Sequence, residues 1–125
     1  MKQQIYVWCS LTFASEAYRK SIEDFKNTLR EKYEILDFVW MLDGDASAVY
    51  QHDTKCVLEC DILIADCSYP STWLGYEIAT AVEHNKKIFL IAHKDATVTR
   101  MILGISKEIA EFIIYENLEE IIQYL

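Results

Sequence analysis

"DILIADCSYPSTWLGYEIATAVEHNKKIFLIAH", residues 61–93, decides the fold. Its opening run, 61–67, has an apolar centre without alternation, the pattern of a strand buried on both faces. Residues 68–71 then carry two serines and the only proline of the chain, which is turn and helix-start chemistry. From Thr72 to about Asn85 the apolar residues recur at helical spacing. "KKIFLIAH" (86–93) returns to a continuous apolar run. Strand, helix and strand in succession make a βαβ unit, because parallel neighbours require a crossover.

The same alternation extends outward in both directions. "QIYVWC" (4–9) reads as strand one. A helix follows from Ser15 to Lys32, with Tyr18, Ile22, Phe25 and Leu29 on its inner face. "YEILDFVW" (33–40) is strand two, "MLDGDAS" a loop, and about Ser47 to Cys60 a second helix. Beyond His93 come a short helix over 97–103, strand five at "EFIIYE" (111–116) and a closing helix at "NLEEIIQYL". The pattern predicts one α/β domain over 1–125. It is a doubly wound, five-stranded parallel sheet of flavodoxin/Rossmann-like type, with helices on both faces. Ligands of such sheets bind beyond the carboxyl ends of the strands, near the switch in strand order. That rule selects Tyr6 to Phe13, Trp40 to Asp45, Asp66 to Glu77, and His93 to Thr99.

Composition narrows the function. Apolar residues make up 52% of the 125, with three glycines and one proline, which excludes a disordered chain. A net charge of −8 excludes a general binder of polymeric nucleic acid, which needs a basic surface. The longest apolar runs are strand-sized and the start of the chain lacks a signal-peptide core, so a soluble cytoplasmic protein without a membrane partner is expected. Cys9, Cys56, Cys60 and Cys67 show no paired zinc spacing and read as buried free thiols, with no metal site. A phosphoacceptor receiver is excluded because "CSLT" replaces the acidic pair after strand one, and no GxGxxG fingerprint is present. "SLTFAS" (10–15) has the hydroxyl pattern of a flavodoxin phosphate loop, with Tyr69 and Trp73 available to flank a flavin. Equally, Ser15 is a helix cap and the other hydroxyls are ordinary loop residues.

Glu77 is the sharper signal. Read as a first-turn residue, it is held ionised by the helix dipole and free amides, with a lowered pKa. A carboxylate charged at neutral pH is a competent nucleophile toward an electrophilic carbon. The plain alternative is a glutamate that only stabilises a helix start. Around it, Ser71 supplies a hydroxyl, Gly75 allows close approach of a ligand, and Trp73 and Tyr76 supply flat walls. Asp53, on the preceding helix, either faces the same mouth or is solvated surface. His93 lies near the pocket, while His52 and His84 read as surface.

The segment "HDTKCVLECDILIADCSYPSTWLGYEIATAVEHNKKIFLI" resembles the core of the nucleoside 2-deoxyribosyltransferase superfamily, most strongly its 2'-deoxynucleoside 5'-monophosphate N-glycosidase branch. The family pattern is an aspartate ahead of strand three, then a strand ending before "S.PS.G.GyElg.A". Here it reads Asp53, "CDILIADCSYPS" and "LGYEIATA", and "IYVWCSL" is similar to the family's first strand and loop. The resemblance implies Glu77 as nucleophile, Asp53 as the acid that arranges it or the sugar, and Tyr6 as the tyrosine on this carboxylate. It implies substrate binding by Ser71, Ser10 and Thr99, the last reaching into a neighbouring subunit's site.

Two departures from the pattern stand out. The glycine-rich first loop with its arginine is replaced by "CSLTFA", with Thr12 at the arginine position, which leaves Arg100 as the nearby cation. The first glycine of the "GxGYE" element is Trp73, which narrows the pocket, while the second is kept as Gly75. The expectation is an N-glycosidase or transferase that cleaves the C1'–N bond of a nucleotide or nucleoside, needs no cofactor and works as a homodimer. A non-catalytic nucleotide-binding or sensing domain on the same shell is the alternative.

Overall fold

The computed structural model describes residues 2–10, 14–38 and 45–125. The readings that fall on 11–13 and 39–44, including half of "SLTFAS", with Thr12, and the last two residues of the strand-two run, lie outside the described residues.

Five parallel strands form one sheet in the order β2-β1-β3-β4-β5. They are β1 (Gln4–Cys9), β2 (Glu34–Leu36), β3 (Ile62–Asp66), β4 (Lys87–His93) and β5 (Glu111–Tyr115). The order reverses between β1 and β3, which makes this the switch point of a doubly wound sheet. Every residue of β3 is buried, as its unbroken apolar run requires. The helices are α1 (Glu16–Leu29), α2 (Ala46–Glu59), α3 (Thr72–Glu83) and α4 (Arg100–Leu103), followed by a 3-10 helix at Leu118–Tyr124. α2 packs with α3, and α1 packs with the 3-10 helix.

The strand period of two sorts β1 between the faces. Tyr6 meets Glu77 of α3 and Trp8 stacks on Trp73 of α3, so both side chains lie on the α2–α3 face. Ile5, Val7 and Cys9 alternate to the other face. Cys9 and Asp66 occupy partnered positions in the β1–β3 register, so Asp66 also lies there. Asp66 accepts bonds from Ser68 N (2.9 Å), Ser68 Oγ (2.6 Å) and the Tyr115 hydroxyl (2.5 Å). It ties the ends of β3 and β5 and stands across the sheet from Glu77.

Several boundaries differ from the pattern reading, and β2, read over 33–40, already ends at Leu36 with 37–38 outside the strand. α1 stops at Leu29 because the amides of Arg30, Lys32 and Tyr33 bond back onto the last turn before β2. The short helix is limited to Arg100–Leu103 behind its Thr99 cap. The closing helix is 3-10, with Glu120 accepting from the amides of Glu116 and Asn117 at 2.7 and 2.6 Å. Ser15 caps α1 through the amide of Tyr18, as the plain reading of that serine expects. The four cysteines are buried and free. Burial pushes the thiols of Cys9, Cys56 and Cys67 up to about 12.

Candidate active site

α3 begins where "SYPS" leaves β3. Ser71 is extended and its Oγ accepts from the amide of Leu74 at 3.1 Å, which satisfies one of the free first-turn donors. Leu74, Ile78 and Ala81 fill the sheet-facing side. Glu77 belongs to this buried set and is only 2% exposed. It lies in the second turn, so the expected first-turn stabilisation does not reach it.

Three elements converge on its carboxyl. Tyr6 of β1 donates its hydroxyl to Glu77 Oε1 at 3.2 Å. Trp73, one turn earlier on α3, donates its indole Nε1–H to the same oxygen at 2.9 Å. Asp53 of α2 is 1% exposed, and its charge acts directly on Glu77. Among the described residues Glu77 Oε2 has no hydrogen-bond partner.

The electrostatics reverse the sequence expectation. Burial first, and then the charge of Asp53, push the Glu77 carboxyl up to about 9, while the bonds from Trp73 and Tyr6 pull it down. The resting group is therefore the neutral acid at pH 7. Burial beside Glu77 and Asp53 also drives the Tyr6 hydroxyl upward, so it remains a donor. The surface reading of Asp53 fails for a packing reason. Asp53, Cys56 and Val57 form the buried stripe of α2, and that stripe faces α3.

The expected site residues fall into two groups around the start of α3. Trp73, Tyr76 and Glu77 line a cleft of about 470 Å³ with Val49, Tyr50 and Thr54 of α2. At its rim the Tyr50 and Tyr76 hydroxyls bond at 2.8 Å. Ser71, Gly75 and Thr99 line a separate cavity of about 200 Å³ with Tyr69, Met101 and Ile102. Ser10 lies between β1 and the α3 entry, 1% exposed, and donates to the Pro70 carbonyl at 3.4 Å. Arg100 is exposed and does not line the Ser71 cavity. Tyr69 packs edge-on against Tyr18 at 5.1 Å while Trp73 packs on Trp8, so the two rings form no slot for a flavin. A Cβ on Gly75 meets nothing within 4 Å, so within the chain itself no close approach requires glycine there.

Sequence reasoning placed Trp73 as a wall and missed it as a donor. Its i, i+4 spacing to Glu77 was the available signal, because that spacing stacks two side chains on one helix face. His52 bonds the Asp37 carbonyl and His84 the Thr80 carbonyl, each a local structural contact. His93 instead borders a cavity of about 580 Å³ over the ends of β3, β4 and β5, with Tyr18, Ser68 and Tyr115.

No protein-family model matches the chain. It is 38% identical over 82 residues to a protein of Syntrophotalea carbinolica provisionally named 2'-deoxynucleoside 5'-phosphate N-hydrolase 1, covering 64% of this chain and 56% of that one. It is 32% identical over 75 residues to the 5-hydroxymethyl-dUMP N-hydrolase of Danio rerio, covering 58% and 52%. The chain thus spans about half the length of the curated relatives it matches. Among solved structures, the CMP N-glycosidase of Clostridium botulinum superposes with a TM-score of 0.73 at 24% identity, covering 98% of this chain and 97% of that one. The 2-deoxyribosyltransferase of Leishmania mexicana gives 0.71 at 13% identity, covering 98% and 95%. These superpositions show the doubly wound fold over nearly the whole chain. The likeness to the N-glycosidase branch, read from Asp53 to "FLI", is matched by the names of the relatives.

Proposed function

We propose that the chain is an N-glycosidase or glycosyl transferase that cleaves the C1'–N bond of a (deoxy)nucleoside 5'-monophosphate or nucleoside, with Glu77 as nucleophile. The observation that carries this reading is the buried Glu77 carboxyl with two donors on Oε1, an Oε2 without a hydrogen-bond partner among the described residues, and a second acid, Asp53, beside it. Stability alone disfavours two acids inside one helix pair, and such perturbed pairs mark reactive sites.

The neutral state of Glu77 supplies the proton that the reaction needs. Transfer of that proton to Asp53 leaves Glu77 anionic and Asp53 an acid. Glu77 Oε2 then bonds to C1' as the C1'–N bond breaks. The electron pair leaves with the base, and Asp53 protonates the base directly or through the substrate. Oxocarbenium character at C1' is stabilised by the carboxylate beneath it. Water, or a second base in a transferase, attacks C1' of the ester, gives up its proton and restores the pair. Tyr6 holds the carboxylate throughout. Ser10, Ser71 and Thr99 take the 5'-phosphate on the other side of the α3 entry, where Ser71 Oγ keeps its O–H free to donate while accepting from Leu74. The working unit is a homodimer, with the exposed Met101 (82%) and Leu103 (54%) beside Thr99 forming part of the contact.

Incubation with a panel of nucleosides and their 5'-monophosphates, followed by chromatography for free base, tests the reading. Base release that is lost in Glu77→Ala is expected. A second reading, a nucleotide-sensing domain without chemistry, has one observation in its favour: Glu77 is covered, only 2% exposed. Tight binding of a panel member without base release by any of them overturns the enzyme in favour of the sensor.

A further inference from the structure

We propose that Trp73 is a positioning residue for this chemistry: its indole N–H, together with the Tyr6 hydroxyl, holds Oε1 of Glu77 and so selects Oε2 as the oxygen presented to the sugar. The inference rests on the reading of Glu77 as nucleophile.

The geometry is specific. A carboxylate that accepts two bonds on one oxygen loses its freedom to rotate, and its other oxygen is left for a reaction partner. The 2.9 Å indole bond is the shorter of the two. The indole is itself fixed, because its ring packs edge-on against Trp8 at 5.3 Å and Trp8 packs on Phe38 at 5.8 Å. The i, i+4 spacing brings donor and acceptor onto one face of α3. A glycine at position 73 has no donor to offer. The tryptophan therefore takes volume from the cleft and supplies a second hydrogen bond to the nucleophile.

A donor on the carboxylate favours its charged form, which the site otherwise opposes. Among the described residues the titratable groups that interact with Glu77 are Tyr6 of β1, Asp53 and Cys56 of α2, and Cys60 at the C-terminal cap of that helix. Tyr6 is driven upward, Cys56 to about 12 and Cys60 to about 11, so these three stay neutral through the working range. Asp53 is the one other carboxyl in this set, and Trp73 acts against its effect.

The first measurement needs no catalysis. In ¹H–¹⁵N spectra of the intact protein the Trp73 indole signal, assigned by through-bond and nuclear Overhauser connectivities in the wild type, is expected to move as Glu77 ionises, and not to move in Glu77→Gln. An indole that ignores Glu77 overturns the proposal, even if Trp73→Phe fails to fold. The second measurement is kinetic. Trp73→Phe keeps a ring and removes the donor. It is expected to lower kcat about tenfold at pH 7, the worth of one hydrogen bond to a charged group, with KM within about twofold. The alkaline limb of its pH–rate profile, where the proton shared by Glu77 and Asp53 is lost, moves to higher pH, and raising the pH does not restore kcat. Base release by Trp73→Phe with the wild-type profile overturns the role of Trp73 alone. Wild-type protein that releases no base from any panel member overturns the nucleophile reading instead.

Discussion

Replacing Glu77 by glutamine is expected to stabilise the fold at neutral pH while abolishing base release. In the folded chain the carboxyl titrates at about 9, against 4.5 for the exposed group. Between those values the unfolded chain binds fewer protons than the folded one, so stability falls as pH rises. The contribution is fully present below about pH 4.5 and is lost progressively up to about pH 9. At pH 7 the deficit is 2.303RT times the 2.5 units separating pH 7 from 4.5, or about 3 kcal/mol. Glutamine keeps an acceptor for Tyr6 and Trp73 and carries no charge to be desolvated. Glu77→Gln therefore gains about 3 kcal/mol over wild type at pH 7, roughly 10 °C in Tm for a chain of this size. The gain shrinks toward zero at pH 4. Urea titrations of both proteins at pH 4, 5.5, 7 and 8.5 measure it. A wild type whose stability is flat across this range, or a variant weaker than wild type by the same amount at every pH, refutes the reasoning. On the activity side, loss of base release by on the order of 10³-fold or more is expected.

Three further outcomes follow from the geometry. Gly75→Ala is expected to stabilise α3 by about 0.5–1 kcal/mol, because helical glycine is costly and the added Cβ meets nothing within 4 Å. Thermal melts check this, and a destabilised variant contradicts the open space seen there. Ser71→Asp is expected to leave stability within about 0.5 kcal/mol, since aspartate caps a helix as well as serine. It should also turn a preference for monophosphates into one for free nucleosides, and an unchanged kcat/KM ratio removes phosphate from Ser71. Light scattering at assay concentration is expected to report a dimer, and a monomer removes Thr99 from any neighbouring site.

The fold was legible because its signals are local and repeated. The unbroken run "ILIA" has one stable use, a strand covered on both faces, and the helix between it and "IFLIA" has one short path back to a parallel neighbour. Element ends were less legible, since residues such as Arg30 and Lys32 suit a helix yet finish in backbone turns that lead into β2. Tyr6 on Glu77 was readable only through family likeness, because a β1–α3 contact leaves no mark in spacing. Asp53 had a local signal that was passed over. It lies on the same helical stripe as Cys56 and Val57, and an acid inside an apolar stripe is buried if the stripe is.

The charge expected of Glu77 is reversed by its surroundings, and the cause is instructive. Dipole and amide effects decay within the first turn of a helix, and Glu77 stands one turn too far along. Its proton affinity is set instead by what α2 places against α3, and that is tertiary information. Facing acids between two packed helices raise each other's cost, and neither is needed to close the interface, where Leu74, Ile78, Cys56 and Val57 already supply the apolar contact. A sequence selected for stability alone would carry neither acid there. The local rule is broken where Tyr6 and Trp73 supply compensating donors, and functional sites are where such breaks are expected. In the proposed chemistry, the carboxyl expected to cost the fold about 3 kcal/mol at pH 7 is also the one that holds the proton for the departing base.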